Sequence, residues 1–146
     1  MRHALLLAVL LLPACQRGRG STADTPAAVT PPTAFVPTTV ALSVHDPAGQ
    51  GGPFRMDELE SLSVEVAVAS TPGVHEARVD VVTPGGTLYA QLPATVEVSA
   101  AGGASSTATV RVRGTSIESY RQTGTWQFRA YVDGAAAASS DVDLTE

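Results

Sequence analysis

The chain has 146 residues, with fourteen acids against nine basic residues and a formal charge of −5. All nine bases are Arg, and the acidic balance excludes nucleic acid and anionic headgroups as main partners, since both reward clustered positive charge. The length suits one domain rather than two, and a lone cysteine, Cys15, excludes an intrachain disulfide, so the fold must stand on packing.

Met1, Arg2 and His3 make a short basic start, and Ala4 to Leu12 is an unbroken apolar run. Nine residues span about 14 Å as a helix, while a bilayer core needs roughly 20 residues. The run is too short for a membrane anchor and suits the core of a signal peptide, residues 1–14. Leu12-Pro13-Ala14-Cys15 follows, with Leu three before the cysteine and a small Ala one before it. This junction resembles the lipobox of bacterial lipoproteins. The resemblance implies a diacylglycerol (palmitate-type acyl chains) on the Cys15 sulfur, removal of the preceding peptide and acylation of the new terminus. Acyl chains contribute about 0.8 kcal/mol per buried CH₂, so several chains hold firmly where one would not. Pro13 departs from the small or β-branched residues favoured in the family at that place. Gln16, in place of the Asp that often signals inner-membrane retention, implies the cell outer membrane. The expected mature chain, Cys15 to Glu146, has eight Arg, fourteen acids and a formal charge of −6.

Residues 15–38 read as a lipidated terminus and a disordered tether. Pro26, Pro31, Pro32 and Pro37 stand among Ser, Thr, Ala and Gly, with little to bury. Stretched at about 3.1 Å per residue, the tether would reach roughly 70 Å. Arg17 and Arg19 could rest on acidic headgroups, and Phe35 and Val36 are the side chains that could dock on the domain.

From Thr39 to the end the pattern is period-two alternation, and residues 39–146 form the expected domain. Val40, Leu42 and Val44 share the first strand's inner face, and Ala48 to Pro53 is a loop. Asp57 to Leu62 (DELESL) is the best helical candidate. Leu62, Val64, Val66 and Val68 form a half-buried strand. Ala77, Val79 and Val81 follow a Thr71-Pro72-Gly73 turn, and Leu88, Ala90 and Leu92 follow Pro84-Gly85-Gly86. Pro93 marks a bend or an edge, with Val96 and Val98 inward beyond it. Ala101 to Ser105 is a loop before Ala108, Val110 and Val112, and Thr115 to Arg121 is a second helical candidate. Trp126, Phe128, Ala130 and Val132 make the most apolar face, and Ala136, Ala138, Val142 and Leu144 close the chain.

Asp133-Gly134 between the last two strands suggests a two-residue turn. Carried through without a break, that register would bury Asp141 and Asp143 and expose Val142 and Leu144, at a prohibitive cost for two unpaired carboxylates. Two solutions remain open: a three-residue loop over 133–135, or a bulge within Ala135–Ser140. Seven or eight short strands at this spacing resemble an immunoglobulin-like or fibronectin-III-like antiparallel β-sandwich, with a closed barrel as the alternative. The resemblance offers Tyr120 as a corner tyrosine anchoring a crossover.

Little in the pattern points to chemistry. His45 and His75 flank strands and should be solvated, no G-x-S-x-G elbow occurs, and too few ligands converge for zinc. Asp57, Glu58 and Glu60 cluster, and Asp141 and Asp143 share a strand, but neither spacing matches a calcium loop. No phosphate loop or dinucleotide fingerprint is present. No enzyme activity, cofactor or bound metal is therefore expected. If the 77–81 and 126–132 strands pair, Arg78, Gln127, Arg129 and Tyr131 share an outer face, and Arg and Tyr are enriched at interface centres. The competing view of that face is a solvated surface with cross-strand pairs such as Asp80 with Arg129. The sequence thus points to an outer-membrane lipoprotein presenting a non-catalytic domain, structural or adaptor-like, to an envelope protein partner in secretion, adhesion or surface motility. The alternative is a ligand-binding module for a small ligand, carbohydrate or calcium.

Overall fold

A computed structural model describes residues 38–146 of the chain; the expected signal peptide, Cys15, the tether, Phe35 and Val36 lie outside the described residues. Alternation of β-branched residues produces eight strands: β1 (Thr39–His45), β2 (Phe54–Arg55), β3 (Ser61–Ala69), β4 (Gly73–Val82), β5 (Leu88–Val98), β6 (Ala104–Arg111), β7 (Gly124–Val132) and β8 (Ala135–Thr145). One short helix, α1 (Ser116–Ser119), joins β6 to β7. The strands form two sheets, one ordered β1-β3-β6 and the other β2-β8-β7-β4-β5. Every neighbour pair is antiparallel except β2 with β8. Two sheets with crossovers of this order make an immunoglobulin-like β-sandwich, and no barrel closes.

The core lies between the sheets. Leu62, Val64, Val66 and Val68 of β3 face Val79 and Val81 of β4 and Trp126, Phe128 and Ala130 of β7, all at most 2% exposed. A strand with one dry face can bury only every second residue, which is why the expected inner sets of β3, β4 and β7 are buried as read. β5 runs unbroken through Pro93, which sits on the outermost strand of its sheet, where the missing N–H costs no ladder bond. Leu88, expected on an inner face, is 50% exposed, because the β4–β5 register shifts between Val81 and Val82.

Other expectations need correction. Asp57 to Leu62 is a turn that runs straight into β3. Leu59 N–H bonds back to the Met56 carbonyl at 3.3 Å, both side chains are buried, and the Glu60 carbonyl is claimed by Val112 and Arg113 N–H groups. A helix there would be too short to stand alone, and these tertiary bonds decide the outcome. Phe54 and Arg55, which follow the expected loop and fall in no expected element, form β2 beside Leu144 and Thr145. β6 begins at Ala104, inside the expected loop. The second helical candidate holds in part: α1 is capped by Thr115, whose hydroxyl accepts from Ile117 N–H at 3.3 Å, while Glu118 accepts from Gly114 N–H at 2.7 Å. Ile117 is the residue α1 buries.

The β7–β8 connection takes the second of the two open solutions. Asp133 and Gly134 have φ of 50° and 80°, as a two-residue primed turn requires. Val132 pairs with Ala135 and Tyr131 with Ala136, but Ala130 then pairs with Ala138, leaving Ala137 as an extra residue. The bulge restores parity, so Val142 and Leu144 are buried while Asp141 and Asp143 are exposed. Ala136, expected inward, falls before the correction and is exposed.

Candidate interaction face

Arg78 and Asp80 lie on the outer side of β4, and Gln127, Arg129 and Tyr131 on that of β7. The ladder pairs Arg78 with Tyr131, Asp80 with Arg129 and Val82 with Gln127, so the four residues singled out from the sequence share one face. The Arg78 guanidinium carbon lies 4.5 Å from the Tyr131 ring centroid, a cation–π geometry. Arg78 Nε also donates to Asp80 at 3.0 Å, and Gln91 on β5 donates to the same carboxylate at 3.0 Å. The expected Asp80–Arg129 pair is therefore replaced by Asp80 with Arg78. Arg129 Nε donates to Gln127 at 2.6 Å, and among the described residues no carboxylate meets its guanidinium. Beside Arg78, a groove of about 650 Å³ is lined by Glu76, Pro93, Thr95, Tyr131 and Gly134. A second depression lies between Arg129 and the small side chains of Ala136 to Ser139.

Four of the five acidic residues weighed as calcium ligands, all but Asp141, take other partners. Arg55 pairs with Asp57 at 3.0 Å and Glu58 at 3.4 Å, Arg113 pairs with Glu60 at 3.0 Å, and Thr125 donates to Asp143 at 2.6 Å. The hydrogen bond and charge of Arg55 hold the Asp57 carboxyl below its usual range. Tyr120 is 76% exposed and anchors no crossover, because α1 turns Ile117 rather than Tyr120 into the core.

His75 is the main surprise. Its side chain is only 12% exposed, with Nδ1 2.8 Å from Asp133 and Nε2 3.0 Å from the Thr71 carbonyl. The Asp133 hydrogen bond, and after it the Thr71 carbonyl, raise the imidazole above its ordinary value of 6.5. The His75 and Glu76 hydrogen bonds in turn lower Asp133. Fifty-eight residues separate the pair, and the one signal for it was Asp-Gly, which fixes where the aspartate sits.

No family model matches the chain, and no curated protein matches it. Solved structures do. They include the alkylpurine DNA glycosylase AlkC from Pseudomonas fluorescens bound to DNA containing an abasic-site analogue (16% identity, TM-score 0.46). That match covers 75% of this chain and 30% of the glycosylase, so the chain spans under a third of that protein's length. A CARDB domain from Pyrococcus furiosus, in complex with di-metal ions, is 20% identical with a TM-score of 0.45, covering 76% of this chain and 90% of that one. An immunoglobulin-like protein from Pseudomonas aeruginosa is 10% identical with a TM-score of 0.42, covering 77% of this chain and all of the other. The immunoglobulin-like assignment rests on the strand order of the chain itself.

Proposed function

We propose that the chain is an outer-membrane lipoprotein whose sandwich domain serves, without catalysis, as a structural or adaptor part of an envelope assembly. The observation that carries this reading is the apolar run ending at Leu12-Pro13-Ala14-Cys15, which spends the lone cysteine where lipidation would use it. The face of Arg78, Gln127, Arg129 and Tyr131 supports a protein partner: a stacked Arg–Tyr pair gives a rigid contact, and among the described residues no carboxylate pairs with Arg129.

Mass spectrometry of the membrane-extracted protein should find an acylated Cys15 terminus, and Cys15→Ala should release the chain from the membrane. An unmodified cysteine in a soluble protein would overturn the anchor. The face has its own test. A photo-crosslinker at position 129 should capture a partner in intact cells, while one at Thr107, on the outer side of the other sheet, should not. Equal capture from both positions would remove the face from the proposal.

A further inference from the structure

We propose that His75, Asp133 and the Thr71 carbonyl form a pH-operated clasp, closed when the imidazole carries both protons, that fastens the tip of the β7–β8 hairpin to the start of β4. The proposal does not depend on the lipoprotein reading.

The geometry makes the doubly protonated ring the fitting species. A carboxylate and a backbone carbonyl can only accept hydrogen bonds, and they stand 2.8 Å and 3.0 Å from the two ring nitrogens. A neutral imidazole has one N–H. It would satisfy one acceptor and aim a lone pair at the other. Imidazolium donates to both. The ring is 12% exposed and the Asp133 side chain 55%, so water reaches the carboxylate more readily than it reaches the imidazole that loses the bond.

Asp133 is held in position independently of His75. Its N–H donates to the Glu76 carbonyl at 2.8 Å, and its other carboxylate oxygen accepts from Glu76 N–H at 3.0 Å. The left-handed φ of 50° in the turn keeps it there. Among the charged groups of the described residues, Asp133 alone faces the ring. Glu76 and Glu97 lie on β4 and β5 at positions of the opposite parity, and the strand partner of His75 is the buried Val96. Thr71 and Ser70, in the turn before β4, are neutral, and the Ser70 hydroxyl bonds Thr38 at 2.8 Å. The clasp therefore joins the hairpin tip to the turn that also holds the start of β1.

The sign follows from the two directions. His75 is raised above its ordinary 6.5, so its stabilisation is complete below pH 6.5 and is lost as pH rises through the raised value. Asp133 is lowered below 3.8, so its share is present above that pH and lost as pH falls through the lowered value. The clasp is closed between those limits and opens on the alkaline side by loss of one ring proton. With the clasp open the tip keeps the two Asp133–Glu76 hydrogen bonds and the Val132–Ala135 and Tyr131–Ala136 pairs, but Ala135, Ala136 and the bulge residue Ala137 are exposed and bury nothing, so opening loosens the tip rather than freeing it.

The test uses the full-length chain labelled with ¹⁵N. The expected result is that both His75 ring nitrogens remain protonated above pH 6.5. Amide protection at Gly134 to Ala137 should drop as they titrate, beyond the base-catalysed trend shared by the β3 amides. Asp133→Asn keeps a residue that tolerates the left-handed turn and removes the charge. It should return His75 towards 6.5 and abolish the pH-dependent loss of protection, as should His75→Gln. A His75 titrating at or below 6.5 in the unsubstituted chain would overturn the clasp, whether or not either variant folds. So would protection at the tip that follows the same pH course in both variants as in the parent.

Discussion

Trp126 shows how one side chain can join a sheet's buried face to a connection. It is 1% exposed, its ring meets Tyr89 edge-on at 5.4 Å and 85°, and its indole N–H donates to the Gln122 carbonyl at 2.9 Å. That bond ties the segment after α1 to the first buried position of β7. Removing such a ring from a core costs about 3–5 kcal/mol, against about 5–15 kcal/mol for a whole domain. Trp126→Ala should therefore lower the melting point steeply or leave much of the population unfolded. Native emission should be blue-shifted, and water-exposed emission would contradict the burial. The importance of Trp126 is legible in the sequence because it shares a period-two face with Phe128, Ala130 and Val132. Asp80's choice between Arg78 and Arg129 is not. One shares its strand face and the other its cross-strand position, so register permits both and side-chain geometry decides. His75 was equally hidden, because a neighbour 58 residues away leaves no local pattern.

At the scale of elements, the strands that were read correctly are those with one dry face and enough length to show a period. β2 has two residues and therefore no period, so only its pairing with the end of β8 defines it. DELESL has helix-forming composition, but the backbone bonds around Met56, Leu59 and Glu60 override it. β8 was the legible exception: its parity conflict and its buried set, Val142 and Leu144, follow from the sequence, while the choice between a longer loop and a bulge does not. The bulge at Ala137 is one residue of slack, which predicts an asymmetric deletion series. Deleting Ala137 alone should convert the bulge into a regular ladder, keep Ala130 opposite Ala138 and leave Val142 and Leu144 buried. The melting point should change little. Deleting Ala136 and Ala137 together removes more than the slack, turning Asp141 and Asp143 inward and Val142 and Leu144 outward. Losing the burial of two such side chains costs about 1.5–3 kcal/mol each, before any cost of burying carboxylates. The double deletion should abolish cooperative unfolding by circular dichroism. Equal melting points for the two deletions would show that the register is held elsewhere.

For the molecule as a whole, the topology sets the cost of folding. Among the described residues only β4–β5 and β7–β8 are hairpins between neighbouring strands that share a ladder; β1–β3, β3–β6, β4–β7 and β2–β8 each join strands separated in sequence. Such pairings require long loops to close before any ladder bond forms, which places all-β sandwiches in the millisecond-to-second range of refolding. Nothing covalent shortens those loops, since the chain has one cysteine and it lies at position 15, ahead of β1. The constraint that many small domains draw from disulfides must here come from the Val-rich layer between the sheets. The full chain should therefore refold from denaturant in milliseconds to seconds, with the same folding and unfolding arms whether or not a thiol reductant is present. Stopped-flow Trp126 fluorescence would follow both arms. Refolding in microseconds would mean that local contacts dominate the transition state, contrary to the strand order. A midpoint lowered by reductant would mean that a covalent link, such as one between two chains through Cys15, carries stability assigned here to packing alone.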